Sequence, residues 1–212
     1  MINNDNDISK TVEALNGILN ISILKMSQGD VKSKYVEFIN EALSAENAAV
    51  DRITSRIDST PIQELKVRLH QHLEETHNHQ DRLRQIVTKF GGEPTDAKAD
   101  LPKLVPPTTM MMKKMVKDTI KSITDDKKDN PMPEEFELME IKQDAIAEGA
   151  EIIAYETLIA ITQRINEIPQ EEIISLLKQS LQEEESMKKW YVEKTPMAVD
   201  ILLPKIISAV SK

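Results

Sequence analysis

Between residues 31 and 57 the apolar side chains Val36, Ile39, Leu43, Val50, Ile53 and Ile57 recur three or four positions apart, the period of one helical face. Asp58-Ser59-Thr60-Pro61 ends that run. Ser59 or Thr60 as cap, with Pro61 in the first turn, opens a second helix over about 61–90 that stops at Gly91-Gly92. A third long helix is predicted from just after Pro133 to about 166. A fourth runs from about 170 to 194, with a tight turn around Pro169 before it and Pro196 to end it. Shorter elements are an amphipathic helix over 8–26 interrupted by Gly17, a short helix over 109–123 and an amphipathic segment over 197–210.

The connections set the topology. Short turns make the first two long helices one antiparallel hairpin and the last two another. The stretch between them, 91–133, is proline-rich and too long for an idle loop in a compact domain, whereas crossing the full length of a bundle would use it. Two hairpins joined by one long crossover is the ferritin-like arrangement. The expected fold is therefore all-α, a ferritin-like four-helix bundle over 31–194 with its crossover at 91–133. A helical extension (1–30) precedes it and a C-terminal amphipathic segment (195–212) follows.

Carboxylates interrupt the apolar stripes. Glu46 falls in the series 39, 43, 46, 50, 53, 57. Glu148 and Glu151 lie on or beside the stripe of Ile141, Ala145, Ile152, Tyr155 and Ile159, and Glu184 continues that of Ile174, Leu177 and Leu181. In the second helix Glu74 and His77 share a face, beside a less regular stripe of Leu69, Leu73, Leu83 and Val87. A carboxylate buried alone costs several kcal/mol or takes up a proton. Counted from the turns near 59 and 168, these groups reach one height within about a turn, ~5 Å. Two divalent cations would reconcile the negative charges of Glu46, Glu74, Glu148, Glu151 and Glu184. Carboxylates with one imidazole suit iron, manganese or zinc better than copper. Dinuclear carboxylate bundles take one Glu from each of two helices and Glu-x-x-His from the others, and Glu74-Glu75-Thr76-His77 is such an element. One assignment makes Glu74 and Glu148 (or Glu151) bridging and Glu46, His77 and Glu184 terminal.

Composition narrows the chemistry. With no cysteine, disulfides, thiolate metal sites and cysteine nucleophiles are excluded. A net charge of −9 argues against nucleic acid as a partner. The N-terminus lacks the basic start and apolar run of a signal peptide, and no apolar stretch is long enough to span a membrane, so a cytoplasmic protein without a membrane partner is expected. All four histidines lie within 70–79. His77 is the expected ligand. His70 is either an ordinary imidazole or a third zinc ligand with Glu74 and His77, and His72 and His79 are expected to face outward. Met110, Met111, Met112 and Met115 read as gap-fillers rather than a soft-metal site.

HLEETH at 72–77 resembles the most recognisable segment of the YciE/YciF family of ferritin-like proteins. LSAE at 43–46, YETLIAI at 155–161 with Glu148 and Glu151 ahead of it, and LLKQSLQEEE at 176–185 are similar to segments of that family's first, third and fourth helices. The resemblance covers roughly 31–194, with the crossover poorly matched. It implies a rubrerythrin-like dinuclear metal centre, a homodimer and a link to stress responses. Two departures stand out. Met187 occupies the place of the histidine in a second Glu-x-x-His, and Lys188 stands one turn after Glu184, where the family often has an acidic residue. Glu151 could supply the extra carboxylate. Glu183 could replace Glu184 if the helix is rotated, and Tyr155 could hydrogen-bond a ligand carboxylate or simply pack.

The function expected from these residues is that of a di-iron oxidoreductase, oxidising ferrous ions or reducing dioxygen or peroxide. Its rivals are a non-catalytic manganese or zinc protein and a metal-free helical interaction module.

Overall fold

The computed structural model describes residues 28–99, 132–166 and 168–211. The helices predicted over 8–26 and 109–123, the methionine group at 110–115 and most of the crossover lie outside these residues. Four helices and no strand are present among the described residues: α1 Gln28–Ser59, α2 Gln63–Lys89, α3 Pro133–Thr162 and α4 Gln170–Val210. None is long and apolar enough to cross a membrane.

Pairing follows from which ends meet. α1 and α2 turn over at Thr60-Pro61-Ile62, where the Thr60 amide donates to the Arg56 carbonyl at 2.9 Å. Pro61 therefore precedes the new helix instead of sitting in its first turn, because Ile62 is drawn into the core at 2% exposure. α2 ends in a turn built for glycine. Gly91 takes φ +74°, its amide reaches the Thr88 carbonyl and that of Gly92 reaches Val87. Gly92 packs so tightly that a Cβ there would stand 2.6 Å from Val36 Cγ1.

The chain then runs back along α1. The Asn40 side chain bonds the backbone of Glu93 and Thr95, and the Asn47 amide donates to the carbonyls of Thr95 and Ala97. α3 starts at the far end, where Glu137 meets Arg56 and Thr60. The described ends of the connection thus lie apart along α1, and α3 runs parallel to α2. α4 returns antiparallel to both, with Arg82 on Glu183 and Lys194 on Glu64.

α4 does not stop at Pro196. It continues to Val210 through Pro196 and Pro204. A helical proline forfeits a bond to the carbonyl four residues earlier. Here those residues, Val192 and Asp200, are exposed, so water can satisfy them, while Tyr191, Ala198 and Leu202 keep the inner face buried.

The core is split. One apolar cluster gathers Tyr35, Ile39, Leu43, Leu83, Ile86, Leu158 and Leu177 with their neighbours. The other gathers Ile53, Ile57, Leu65, Leu69, Ile141, Met187, Tyr191 and Leu202. Polar residues of all four helices fill the level between them.

Candidate metal centre

Each helix brings its inward stripe through this middle level. On α1 the stripe passes Leu43, Glu46, Ala49 and Ile53. On α2 it runs Leu65, Leu69, His72, Thr76, His79, Leu83, Ile86, alternating steps of four and three. On α3 it runs Ile141, Asp144, Glu148, Glu151, Tyr155, and on α4 Leu177, Ser180, Glu184, Met187, Tyr191. Glu46, His72, His79, Glu148 and Glu184 are each no more than 2% exposed.

Two triads result, each with ligand-capable atoms within 4.8 Å of one another: Glu46 with His79 and Glu184, and His72 with Glu148 and Glu184. His79 Nδ1 lies 2.9 Å from Glu184 Oε1 and 3.4 Å from Glu46 Oε1. His72 Nε2 lies 3.0 Å from Glu148 Oε2 and 3.8 Å from Glu184 Oε2. Glu184 belongs to both.

The outer nitrogen of each imidazole is held from behind. His72 Nδ1 is 3.0 Å from Glu75 Oε2, which also accepts from Arg68. His79 Nε2 is 2.8 Å from Glu183 Oε2, which is clamped by Arg82. A carboxylate on the far nitrogen fixes the ring and sharpens its basicity toward the inside. The Tyr155 hydroxyl donates to Glu46 Oε1 at 2.6 Å, and the ring of Tyr155 stands edge-on to His79.

The charges are strongly coupled. Burial alone would drive both imidazoles neutral, but the carboxylates around them win. Glu148 and Glu75 lift His72 to about 10, and Glu183, Glu184 and Glu46 lift His79 to about 12. Burial, and then the negative charge of Glu151, pushes Glu184 well above the carboxylate range. Burial raises Glu151 to about 7, with Arg52 holding it back. Glu148 moves the other way, since His72 more than offsets its desolvation.

Whether a cation fits can be judged from what stays unsatisfied. Among the described residues, four buried side-chain atoms make no well-formed hydrogen bond: Glu46 Oε2, His79 Nδ1, Glu148 Oε2 and Glu184 Oε2, the second and third having a charged neighbour at 2.9–3.0 Å but off the bonding direction. Each comes from a different helix, and each is an oxygen or nitrogen of the kind that binds iron, manganese or zinc.

Sequence comparison places this arrangement in a family. The profile of "Domain of unknown function (DUF892)" matches residues 30–200. The chain belongs to that family. Two solved structures are similar to it. One is a protein from Xanthomonas campestris pv. campestris, at 19% identity and TM-score 0.60, covering 82% of this chain and 97% of that one. The other is the Escherichia coli stress protein YciF, at 20% identity and TM-score 0.58, covering 82% of this chain and 99% of that one. At such identities they show the shared helical-bundle fold and nothing finer. No curated protein sequence matches the chain.

In this DUF892 chain the residues expected from sequence divide. Glu46, Glu148 and Glu184 meet at the centre. Glu151 is buried beside it but faces Arg52. Glu74 and His77 lie on the exposed side of α2, as does His70. His72 and His79, expected to face outward, are the inward histidines, because the stripe of Leu65, Leu69, Leu83 and Ile86 fixes the rotation of α2. Glu183 lies behind His79 and does not replace Glu184. Lys188 is exposed, its ammonium beside Gly149, and does not enter the centre. Met187 is fully buried in the second apolar cluster. Arg52, Glu75 and Glu183 had no signal in apolar spacing, since they approach the centre from its edge or from behind.

Proposed function

We propose that the protein binds divalent metal at mid-height in its bundle, in a dinuclear carboxylate centre formed by Glu46, His72, His79, Glu148 and Glu184. Glu184 is the residue common to both positions. The four buried atoms without a well-formed hydrogen bond, one per helix, carry this reading. Leaving a buried polar group unsatisfied costs about 1–3 kcal/mol, more for a charge, and four at one level is a standing penalty that a cation removes.

The protein's own part is positioning. With Nδ1–H given to Glu75, His72 keeps its Nε2 lone pair for the centre; with Nε2–H given to Glu183, His79 keeps Nδ1. Tyr155 holds one oxygen of Glu46 and leaves the other free. The apolar clusters on both sides keep water away. Iron is the favoured metal, with manganese or zinc as alternatives. Bound there, iron would supply electrons for the reduction of dioxygen or peroxide. The similar Escherichia coli protein is called a stress protein, and we carry that setting over to this chain.

Elemental analysis of protein purified without added metal, followed by stopped-flow oxidation of added ferrous iron, tests this. Bound metal with turnover above buffer supports a di-iron oxidoreductase, whereas bound metal without turnover supports a non-catalytic metal protein.

The contacts of His72 with Glu148 at 3.0 Å and of His79 with Glu184 at 2.9 Å favour a second, metal-free reading. His72 and His79, held protonated, balance their carboxylates without any ion. In that case no metal is found, and a chelator leaves the melting temperature unchanged.

A further inference from the structure

Arg52 approaches the centre from the edge of α1, its side chain still 22% exposed. Its Nη2 lies 3.4 Å from each oxygen of Glu151 and 3.5 Å from Glu148 Oε1. Glu151 therefore faces the guanidinium with both oxygens and enters neither triad. Glu148 is divided, with Oε1 toward Arg52 and Oε2 toward His72. The other triad, Glu46 with His79 and Glu184, has no such contact with Arg52.

One turn along α1, Arg56 offers a contrast. It donates at 2.8–3.2 Å to Glu137 and Asp144 and is about 4% exposed, a fixed structural cation. Arg52 makes longer hydrogen bonds, 3.4 Å to each oxygen of Glu151, and keeps a path to water. A guanidinium held that loosely can swing out when a better cation arrives.

The geometry points to Arg52 as a built-in competitor for the second metal position, which leaves the centre asymmetric: one divalent ion held firmly by Glu46, His79 and Glu184, and a weaker position at His72 and Glu148 that fills only as Arg52 gives way. This rests on the metal-binding reading above. The charge of Arg52 opposes a second cation, and its hold on Glu151 withholds a carboxylate that position would otherwise use. Arg52 is a positioning residue that decides occupancy.

The test is calorimetric titration of the chelated full-length protein with Mn²⁺, with electron paramagnetic resonance to separate single from paired ions. The wild type should bind one Mn²⁺ tightly and a second at least ~10-fold more weakly. In Arg52→Met the second site should tighten by ~10-fold or more, with spin coupling appearing at lower Mn²⁺; Arg52→Lys, which keeps the charge, should stay near the wild type. Two equal sites in the wild type would overturn the inference, and that result does not depend on any variant folding. So would a folded Arg52→Met, checked by circular dichroism, whose second site is unchanged. Absence of any Mn²⁺ binding in the wild type would instead sink the metal-binding reading itself.

Discussion

Two buried charged layers lie side by side in this bundle and are finished differently. In the layer toward the α1–α2 turn, Arg56 donates to Glu137 through both terminal nitrogens and to Asp144 through Nε, and Thr60 donates to Glu137 at 2.7 Å. None of these groups is among the four buried atoms without a well-formed hydrogen bond. In the layer one turn away, carboxylates and imidazoles from four helices converge and each helix leaves one atom without a well-formed hydrogen bond. The same chain could have satisfied the second layer as it did the first. It placed Glu46, Glu148 and Glu184 where an arginine would have had to stand, and kept Arg52 at the rim. The contrast separates a charge network that completes itself from one completed by something that arrives.

The largest expected effect breaks the self-sufficient layer. Arg56→Ala leaves Glu137 and Asp144 buried without their cation and should lower stability by about 3–5 kcal/mol in urea unfolding. Metal bound per folded molecule should not change. Equal loss of metal would mean the two layers are one unit.

The converse substitution is Glu184→Gln. It keeps volume and removes the carboxylate shared by both triads. Metal affinity should fall by ~100-fold or more, while unfolding free energy of the metal-free protein shifts by only about 1 kcal/mol. A variant that retains two ions would remove Glu184 from the centre.

A smaller effect comes from pH. The folded-state pKa values of His72 and His79 lie above the free value, at about 10 and about 12. Their contribution to metal-free stability is therefore complete below about pH 6.5 and declines as pH rises through those values. The melting temperature of chelated protein should fall by several degrees between pH 6.5 and 9. Metal needs the same nitrogens deprotonated, so the rise in melting temperature on adding Mn²⁺ should widen over that range. Differential scanning fluorimetry with and without Mn²⁺ reads both, and a gap that narrows with pH would contradict the assignment of the histidines.

Much of this was legible in the residues. Glu46, Glu148 and Glu184 stand out because apolar neighbours on both sides leave no doubt about the inward face. The two hairpins follow from turn chemistry at 58–61 and around Pro169. α2 was harder for a physical reason. Its inward stripe is polar for three consecutive positions, His72, Thr76 and His79, and the half-buried Leu73 pulls the apparent face around the helix. Read from both ends, Leu65 and Leu69 with Leu83 and Ile86 fix the register and require His72 and His79 inside. The continuation of α4 past Pro196 was hidden because a proline's effect depends on whether the carbonyl it orphans faces water. Arg52 was hidden because a long side chain can reach a buried site from a position off the stripe.

The finest test of the contrast is also the smallest in magnitude. Glu74 and His77 form the Glu-x-x-His pattern that sequence spacing favours, yet both lie on the exposed side of α2, and the one described contact of His77 is with Gln80 at 3.1 Å. Surface substitutions without such networks change stability by within about 0.5 kcal/mol. Glu74→Gln with His77→Asn should therefore leave unfolding free energy and metal stoichiometry where they were. His72→Asn with His79→Asn, each only two residues from Glu74 and His77 respectively, should abolish tight binding. Because all four residues lie on the same stretch of about two turns, a helix-wide disturbance would affect both pairs alike. Only the rotation set by Leu65, Leu69, Leu83 and Ile86 predicts that one pair matters and the other does not. Loss of metal in the Glu74/His77 variant would mean that α2 turns its other face to the centre.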